Sequence, residues 1–196
     1  MKILILILIS FGSVNLNAQS VVTYFDIVLN DKTIGVLKAS KHTNGKQTTK
    51  NISSNSKTNV FSVSVHVESE IYVISENEIL KTSFAYRQAN RGSENLETKV
   101  KYIASSKYEI VKNGQKISLN RPIGYCVADL YFKEPKGLNS VFSNTHGEFL
   151  IIKPLGKSEY ELNLPDGKSN IFKYLNGKLI QVETKMIVGK VIFIRK

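Results

Sequence analysis

Cys126 and Asp129, three residues apart in a stretch of helical spacing, and His146, twenty residues further on, have the types that could make a thiol nucleophile, an orienting carboxylate and a base. Their neighbours read differently. Cys126 stands between Tyr125 and Val127, as a small buried apolar residue does, and His146 lies in the turn-like run Asn144-Thr145-His146-Gly147. Glu159 with Glu161, and Glu68 with Glu70, each lie two apart on one strand, which projects both carboxylates from one face at roughly 6 to 7 Å, a glycosidase separation. Strands often carry acids on a wet face, and the chain has no Trp to stack a sugar. His42, His66 and His146 share no metal-ligand spacing. Gly156-Lys157-Ser158 and Gly167-Lys168-Ser169 lack the earlier glycine of a phosphate loop, Ile151 and Leu162 standing there instead, and read as turns. The sequence therefore assigns no catalytic residue, no metal ligand and no cofactor.

The start of the chain bears on the compartment. Met1-Lys2, the apolar run Ile3 to Ile9, and Leu16-Asn17-Ala18 before Gln19 have the outline of a secretory leader, residues 1–18. The run is shorter than the roughly 20 residues of a membrane-spanning helix. Cleavage near Gln19 is expected, giving an exported protein, periplasmic or secreted, with no transmembrane segment. No cysteine follows the leader for lipid attachment. The 196 residues less the 18 of the leader leave 178, read as a single β-rich domain, 19–196, with a real core. One cysteine makes no internal disulfide.

Without Lys2 the 27 basic residues become 26, against 16 acids. The cations are scattered and mostly Lys, which suits a solvated surface that could attract an anionic envelope surface. Nucleic acid is not an expected partner.

Apolar residues recur with period two, the mark of strands with one buried face. The alternation is read over Tyr24 to Leu29, Thr82 to Tyr86, Tyr108 to Val111, Tyr160 to Leu164 and Ile171 to Leu175. From Phe61, the residues Phe61, Val63, Val65 and Val67 are expected to face the core, with His66 facing water. Asn113-Gly114 and Asn176-Gly177 predict two-residue hairpins, because both residue types accept positive φ. Asn30-Asp31 and Asp166-Gly167 are softer turn signals, and Asn90-Arg91-Gly92 turns a second polar stretch. Pro122 to Glu134 places Ile123, Val127, Leu130 and Tyr131 at helical spacing, with Pro135 as a stop. Ser40 to Asn59, nearly all polar, reads as a long loop or a solvated edge hairpin around Asn44-Gly45. The expected fold is mainly β, an antiparallel meander forming a strongly curved sheet or open barrel, with one short helix on its concave face.

Leu130-Tyr131-Phe132-Lys133-Glu134-Pro135-Lys136-Gly137, then Val141-Phe142-Ser143, Leu164-Pro165-Asp166-Gly167 and Tyr174-Leu175-Asn176-Gly177, give the chain a family likeness. It resembles an uncharacterised family of secreted bacterial proteins of this size, a domain of unknown function of Bacteroidota. The resemblance implies export and a β-rich fold and brings no activity. A looser likeness is to periplasmic lipoprotein carriers, whose incomplete barrel wraps helices around an apolar cavity; it is an analogy of fold alone.

Three functional expectations follow. The first is a non-catalytic binding protein that holds a lipid or other apolar or amphipathic small molecule between helix and sheet, with Tyr125, Tyr131, Phe132 and Phe142 as cavity walls. The second is an interaction or scaffold module of the envelope, binding by an exposed strand edge or by Ser40 to Asn59. A hydrolase stands third. The three differ in what they need: an open apolar cavity, an unpaired edge, or polar groups converging in a cleft.

Overall fold

The period-two runs become strands, many of them joined to the next by two-residue turns. The computed structural model describes residues 18–60, 63–91, 95–186 and 189–196. Residues 1–17, which carry the expected leader, lie outside the described residues, as do Phe61 and Gly92. The first half of the chain forms β1 (Gln19–Leu29), β2 (Lys32–Asn44), β3 (Gln47–Val60), β4 (Val63–Glu76), β5 (Ile79–Ala89), β6 (Leu96–Ala104), β7 (Lys107–Lys112) and β8 (Gln115–Asn120). A connecting segment holds one 3-10 turn, Val127–Tyr131. The second half forms β9 (Ser140–Ser143), β10 (Glu148–Gly156), β11 (Glu159–Asn163), β12 (Ser169–Leu175), β13 (Lys178–Met186) and β14 (Gly189–Arg195).

These strands make one antiparallel meander sheet, in the order β8 to β1, then β14 down to β9. β1 pairs with β14, Phe25 opposite Arg195 and Leu29 opposite Val191, so the two halves of the chain meet in the middle of the sheet. β8 and β9 are its ends, and the sheet does not close.

The hairpins form where Asn-Gly predicts them. Asn113 and Gly114 have φ of 46° and 82°, Asn176 and Gly177 of 51° and 75°, the left-handed pair of a type I′ turn. Asn77-Glu78, Ser105-Ser106 and Lys157-Ser158 turn the same way with no glycine at the two turn positions. Gly35 has a different role. A Cβ there would lie 2.1 Å from the Asn55 carbonyl oxygen, so β2 and β3 approach this closely only through a glycine.

Side chains of one face fill the interior: Phe25 and Ile27 of β1, Leu37 and Ala39 of β2, Ile52 of β3, Val73 of β4, Val100 of β6, Tyr108 and Ile110 of β7, and Ile152, Leu162, Phe172 and Val182 of the second half. Each large apolar side chain so buried contributes about 1.5 to 3 kcal/mol. The sheet is strongly curved. The 3-10 turn touches β3, β13 and β9, although β3 and β13 are four strand spacings apart, roughly 19 Å if the sheet were flat. Thr98 of β6 donates to the Thr145 carbonyl at 2.6 Å, and a Cβ on Gly147 would meet Ile110 of β7 at 2.9 Å, so the β9-β10 turn reaches across to the other end of the sheet.

Three expectations are corrected. Pro122 to Glu134 is not a helix beyond the five-residue 3-10 turn. Cys126 is extended (φ −129°, ψ 173°), Leu80 N–H donates to the Ile123 carbonyl at 2.9 Å, and Phe142 N–H donates to the Tyr125 carbonyl at 3.1 Å. Those carbonyls serve neighbouring strands, and the packing outweighs helical spacing. Of the two readings of Ser40 to Asn59 the hairpin holds and the loop does not: it is the outer part of β2, the turn after Asn44 and most of β3, but it is flanked by β1 and β4 and so is not at an edge. Polar ladders hold it, with Thr43 to Thr48 at 3.2 Å, Asn51 to Glu70 at 2.8 Å and Ser54 to Ser69 at 2.8 Å. Val63, Val65 and Val67 lie on the face of Val73 but are not buried. Val63 is exposed and the other two half-buried, because β3 and β4 run past the end of the apolar interior.

Candidate functional site

The connecting segment crosses the concave face and is pinned there by polar groups. Asp129, in the first turn of the 3-10 segment, accepts the Cys126 N–H at 2.9 Å and the Cys126 Sγ–H at 3.2 Å on one oxygen. Its other oxygen meets Lys50 Nζ of β3 at 2.7 Å, with side-chain exposures of 9% for Lys50 and 17% for Asp129. Lys50 points inward because it shares the register of Ile52 and lies opposite the buried Val73. Asn144, fully buried, donates to Ser83 Oγ of β5 at 3.2 Å and accepts the Ala128 N–H at 3.4 Å. Tyr174 donates to the Leu130 carbonyl at 2.7 Å, Tyr160 to the Glu134 carboxylate at 2.9 Å, and Tyr125 to the Lys133 carbonyl.

The four expected cavity walls are in this assembly. Tyr131 meets Phe25 edge-on at 5.9 Å, and Phe142 meets Phe149 edge-on at 5.5 Å. Tyr125 and Phe132 pack half-buried against the same core. Beside the turn remains a cavity of about 10 Å³, between Lys50, Ser75, Tyr125, Cys126 and Asp129. That is room for about one water molecule.

The same contacts decide what the thiol can do. Burial and then the adjacent Asp129 push the Cys126 thiol far up, so at neutral pH it is protonated and a poor nucleophile. His146 lies in the turn between β9 and β10. The charged groups around His146 are Lys112, Glu148, Asp166 and Arg87, and burial first, then Lys112, lowers its pKa. Burial likewise raises the Tyr125, Tyr131 and Tyr174 hydroxyls. The arrangement clamps the connecting segment to β3, β5, β11 and β12.

The other chemistry-bearing residues are cross-strand partners. Glu159 faces Lys173 at 3.6 Å, and Lys173 continues to Glu183 at 2.7 Å and on to Lys190 at 2.5 Å. Glu161 stands opposite Lys153 and Ile171. Glu68 binds Asn55 and His66, and His42 binds Ser20 at 2.8 Å. Among the described residues no three His, Cys, Asp or Glu side chains stand together as metal ligands.

The sequence pattern of a family described as Domain of unknown function (DUF6134) matches residues 25–196. The chain belongs to that family. The DUF6134 match runs from Phe25 of β1 to the last residue, so it takes in the clamp and both ends of the sheet. No curated protein matches the chain, and no solved structure matches it.

The two ends of the DUF6134 sheet differ. The free side of β9 is covered by the chain itself, through the Cys126 to Phe142 bridge and the Tyr125 carbonyl. β8 has β7 on one side, from Lys112 opposite Gln115 to Lys107 opposite Asn120. A two-residue hairpin closes on a hydrogen-bonded pair, so Gln115, Ile117 and Leu119 turn their backbone groups to β7, and Lys116, Ser118 and Asn120 turn theirs outward. Among the described residues no backbone hydrogen bond reaches those three from another segment. An open groove of about 400 Å³ lies across β6, β7 and β8 at this end, lined by Ile103, Lys107, Tyr108, Glu109, Lys116, Ile117 and Ser118. Asn113-Gly114 gives the hairpin in the sequence, but nothing in β8 itself says that no further strand joins it.

Proposed function

We propose that this chain is a non-catalytic binding protein of the cell envelope, exported after cleavage near Ala18, which engages its ligand along β8 rather than between the turn and the sheet. One contrast carries the reading: about 10 Å³ beside the clamp against an open groove of about 400 Å³ across β6, β7 and β8, at the end of the sheet where the β8 edge is unpaired. A drug-sized apolar ligand needs roughly 300 Å³ or more, so an interior lipid would have to displace Tyr125 and the Lys50 to Asp129 pair. The protonated thiol and the ion-paired carboxylate speak for binding rather than catalysis. The 26 basic residues against 16 acids of residues 19–196 suit a surface that meets anionic material.

Native mass spectrometry with lipid extraction, on mature protein purified from its own envelope, tests this. The expected spectrum shows the polypeptide mass beginning at Gln19 with no stoichiometric lipid. A bound lipid retained one to one would overturn the edge reading and restore the interior carrier.

A further inference from the structure

β8 is a regular strand of six residues with no proline and no irregularity of pairing, unlike β6, whose register shifts between Tyr102 and Ala104. Its outward N–H and C=O groups at Lys116, Ser118 and Asn120 are spaced two residues apart, as an added strand requires. The faces differ. Ile117 and Leu119 lie opposite the interior residues Ile110 and Tyr108, yet Ile117 remains 44% exposed because no further strand covers it. Lys116, Ser118 and Asn120 share the other face, opposite Val111, Glu109 and Lys107. Charge selects among occupants. Lys107, Lys112 and Lys116 stand against a single acid, Glu109, over residues 107–120, while Arg121 is turned to Ser140 and the Phe149 ring. A second copy pairing through β8 would set one basic edge against another, which like-charge neighbours disfavour.

We propose that β8 receives an added strand from a partner protein, an extended acidic segment in which Asp or Glu alternates with apolar residues. The inference rests on the edge reading above and names its partner. The incoming backbone bonds to Lys116, Ser118 and Asn120, its apolar side chains continue the interior beyond Ile117 and Leu119, and its carboxylates lie beside Lys116. Main-chain bonds give the affinity, and the alternate side chains give the selectivity.

The test uses the mature chain and a fluorescein-labelled, end-blocked octapeptide alternating glutamate and valine, read by fluorescence polarisation at low salt. Ser118→Pro removes one outward N–H and leaves the bonds to β7 in place, since proline is accepted on an edge with its nitrogen facing outward. Binding of the peptide is expected, weakened about tenfold by Ser118→Pro, and by a similar factor when the peptide is N-methylated at alternate residues, as loss of one or two hydrogen bonds gives. Lys116→Glu, a surface change that leaves the fold intact, is expected to reverse the preference toward a lysine-valine octapeptide. Equal binding of the two octapeptides by the unsubstituted chain would overturn the acidic partner. Undiminished binding by Ser118→Pro with undiminished binding of the N-methylated peptide would overturn β8 as its site. A dimer in sedimentation that Ser118→Pro dissolves would replace the partner with a second copy, and phosphatidylglycerol vesicles that displace the peptide from the chain would replace it with a lipid surface. None of these results puts lipid inside the protein, so they are distinct from the failure of the reading on which the inference rests.

Discussion

Replacing Lys50 by Met leaves the Asp129 carboxylate 17% exposed and without its cation. Removing one partner of a buried pair costs about 3 to 5 kcal/mol, because the remaining charge is desolvated and uncompensated. The Cys126 N–H and Sγ–H still reach Asp129 at 2.9 and 3.2 Å, which places the expected loss near the low end, about 3 kcal/mol. For a domain of this size that is a fall in Tm of roughly 6 to 12 °C. Urea denaturation followed by far-ultraviolet circular dichroism gives the free energy directly. Adding Asp129→Asn to Lys50→Met removes the stranded charge and is expected to restore about 1 to 2 kcal/mol, a coupling that a double-mutant cycle isolates. A Lys50→Met loss below about 1 kcal/mol, the worth of an exposed pair, would refute the clamp: the turn would then be held by packing alone.

Three further outcomes follow from the same contacts. Cys126 in the native protein is expected to resist iodoacetamide at mildly alkaline pH and to label fully on unfolding, since burial and Asp129 raise its pKa; rapid native labelling, followed by mass spectrometry, would contradict the buried thiol. At Glu134 burial works to raise the pKa, but bonds from Tyr160, Ser158 and Lys136 outweigh it and hold the carboxyl below its usual range. The unfolded chain then takes up that proton more readily, so this stability is complete above the unfolded glutamate pKa of about 4.3 and lost as pH falls through the folded value; Glu134→Gln is expected to flatten acid denaturation there, and an unchanged profile would contradict it. Gly35→Ala is expected to destabilise by more than about 2 kcal/mol in the same urea assay, because its methyl would overlap the Asn55 carbonyl; a smaller loss would mean that β2 and β3 separate easily.

Much of the sheet was legible because apolar alternation and turn chemistry are local signals. Phe25, Ile27 and Leu29 face inward together, as do Tyr160 and Leu162, and Asn113-Gly114 and Asn176-Gly177 turn as their residue types demand. Ser40 to Asn59 was legible only as a choice between loop and hairpin, since Ser54, Asn51 and Thr43 are matched to polar partners across the ladder and carry no hydrophobic period. Val63 to Val67 misled in the opposite direction. Their alternation is intact, but β4 extends past the interior there, and period two says which residues share a face without saying that anything covers it. The stretch after Pro122 has helical spacing, but its carbonyls at Ile123 and Tyr125 serve Leu80 and Phe142, partners that only the folded sheet brings near. Lys50 is the clearest omission from the site. In sequence it is one lysine in a polar run, and only the register that places it beside Ile52, on the same face as Val73, sends it to Asp129.

Amide hydrogen exchange resolved residue by residue along β8 tests the central claim most directly. In the free protein the amides of Ile117 and Leu119 are predicted to exchange slowly through their bonds to β7, and those of Lys116, Ser118 and Asn120 to exchange rapidly and to slow when the glutamate-valine octapeptide is added. Protection of all five amides in the free protein would contradict the account, because the edge would already be covered.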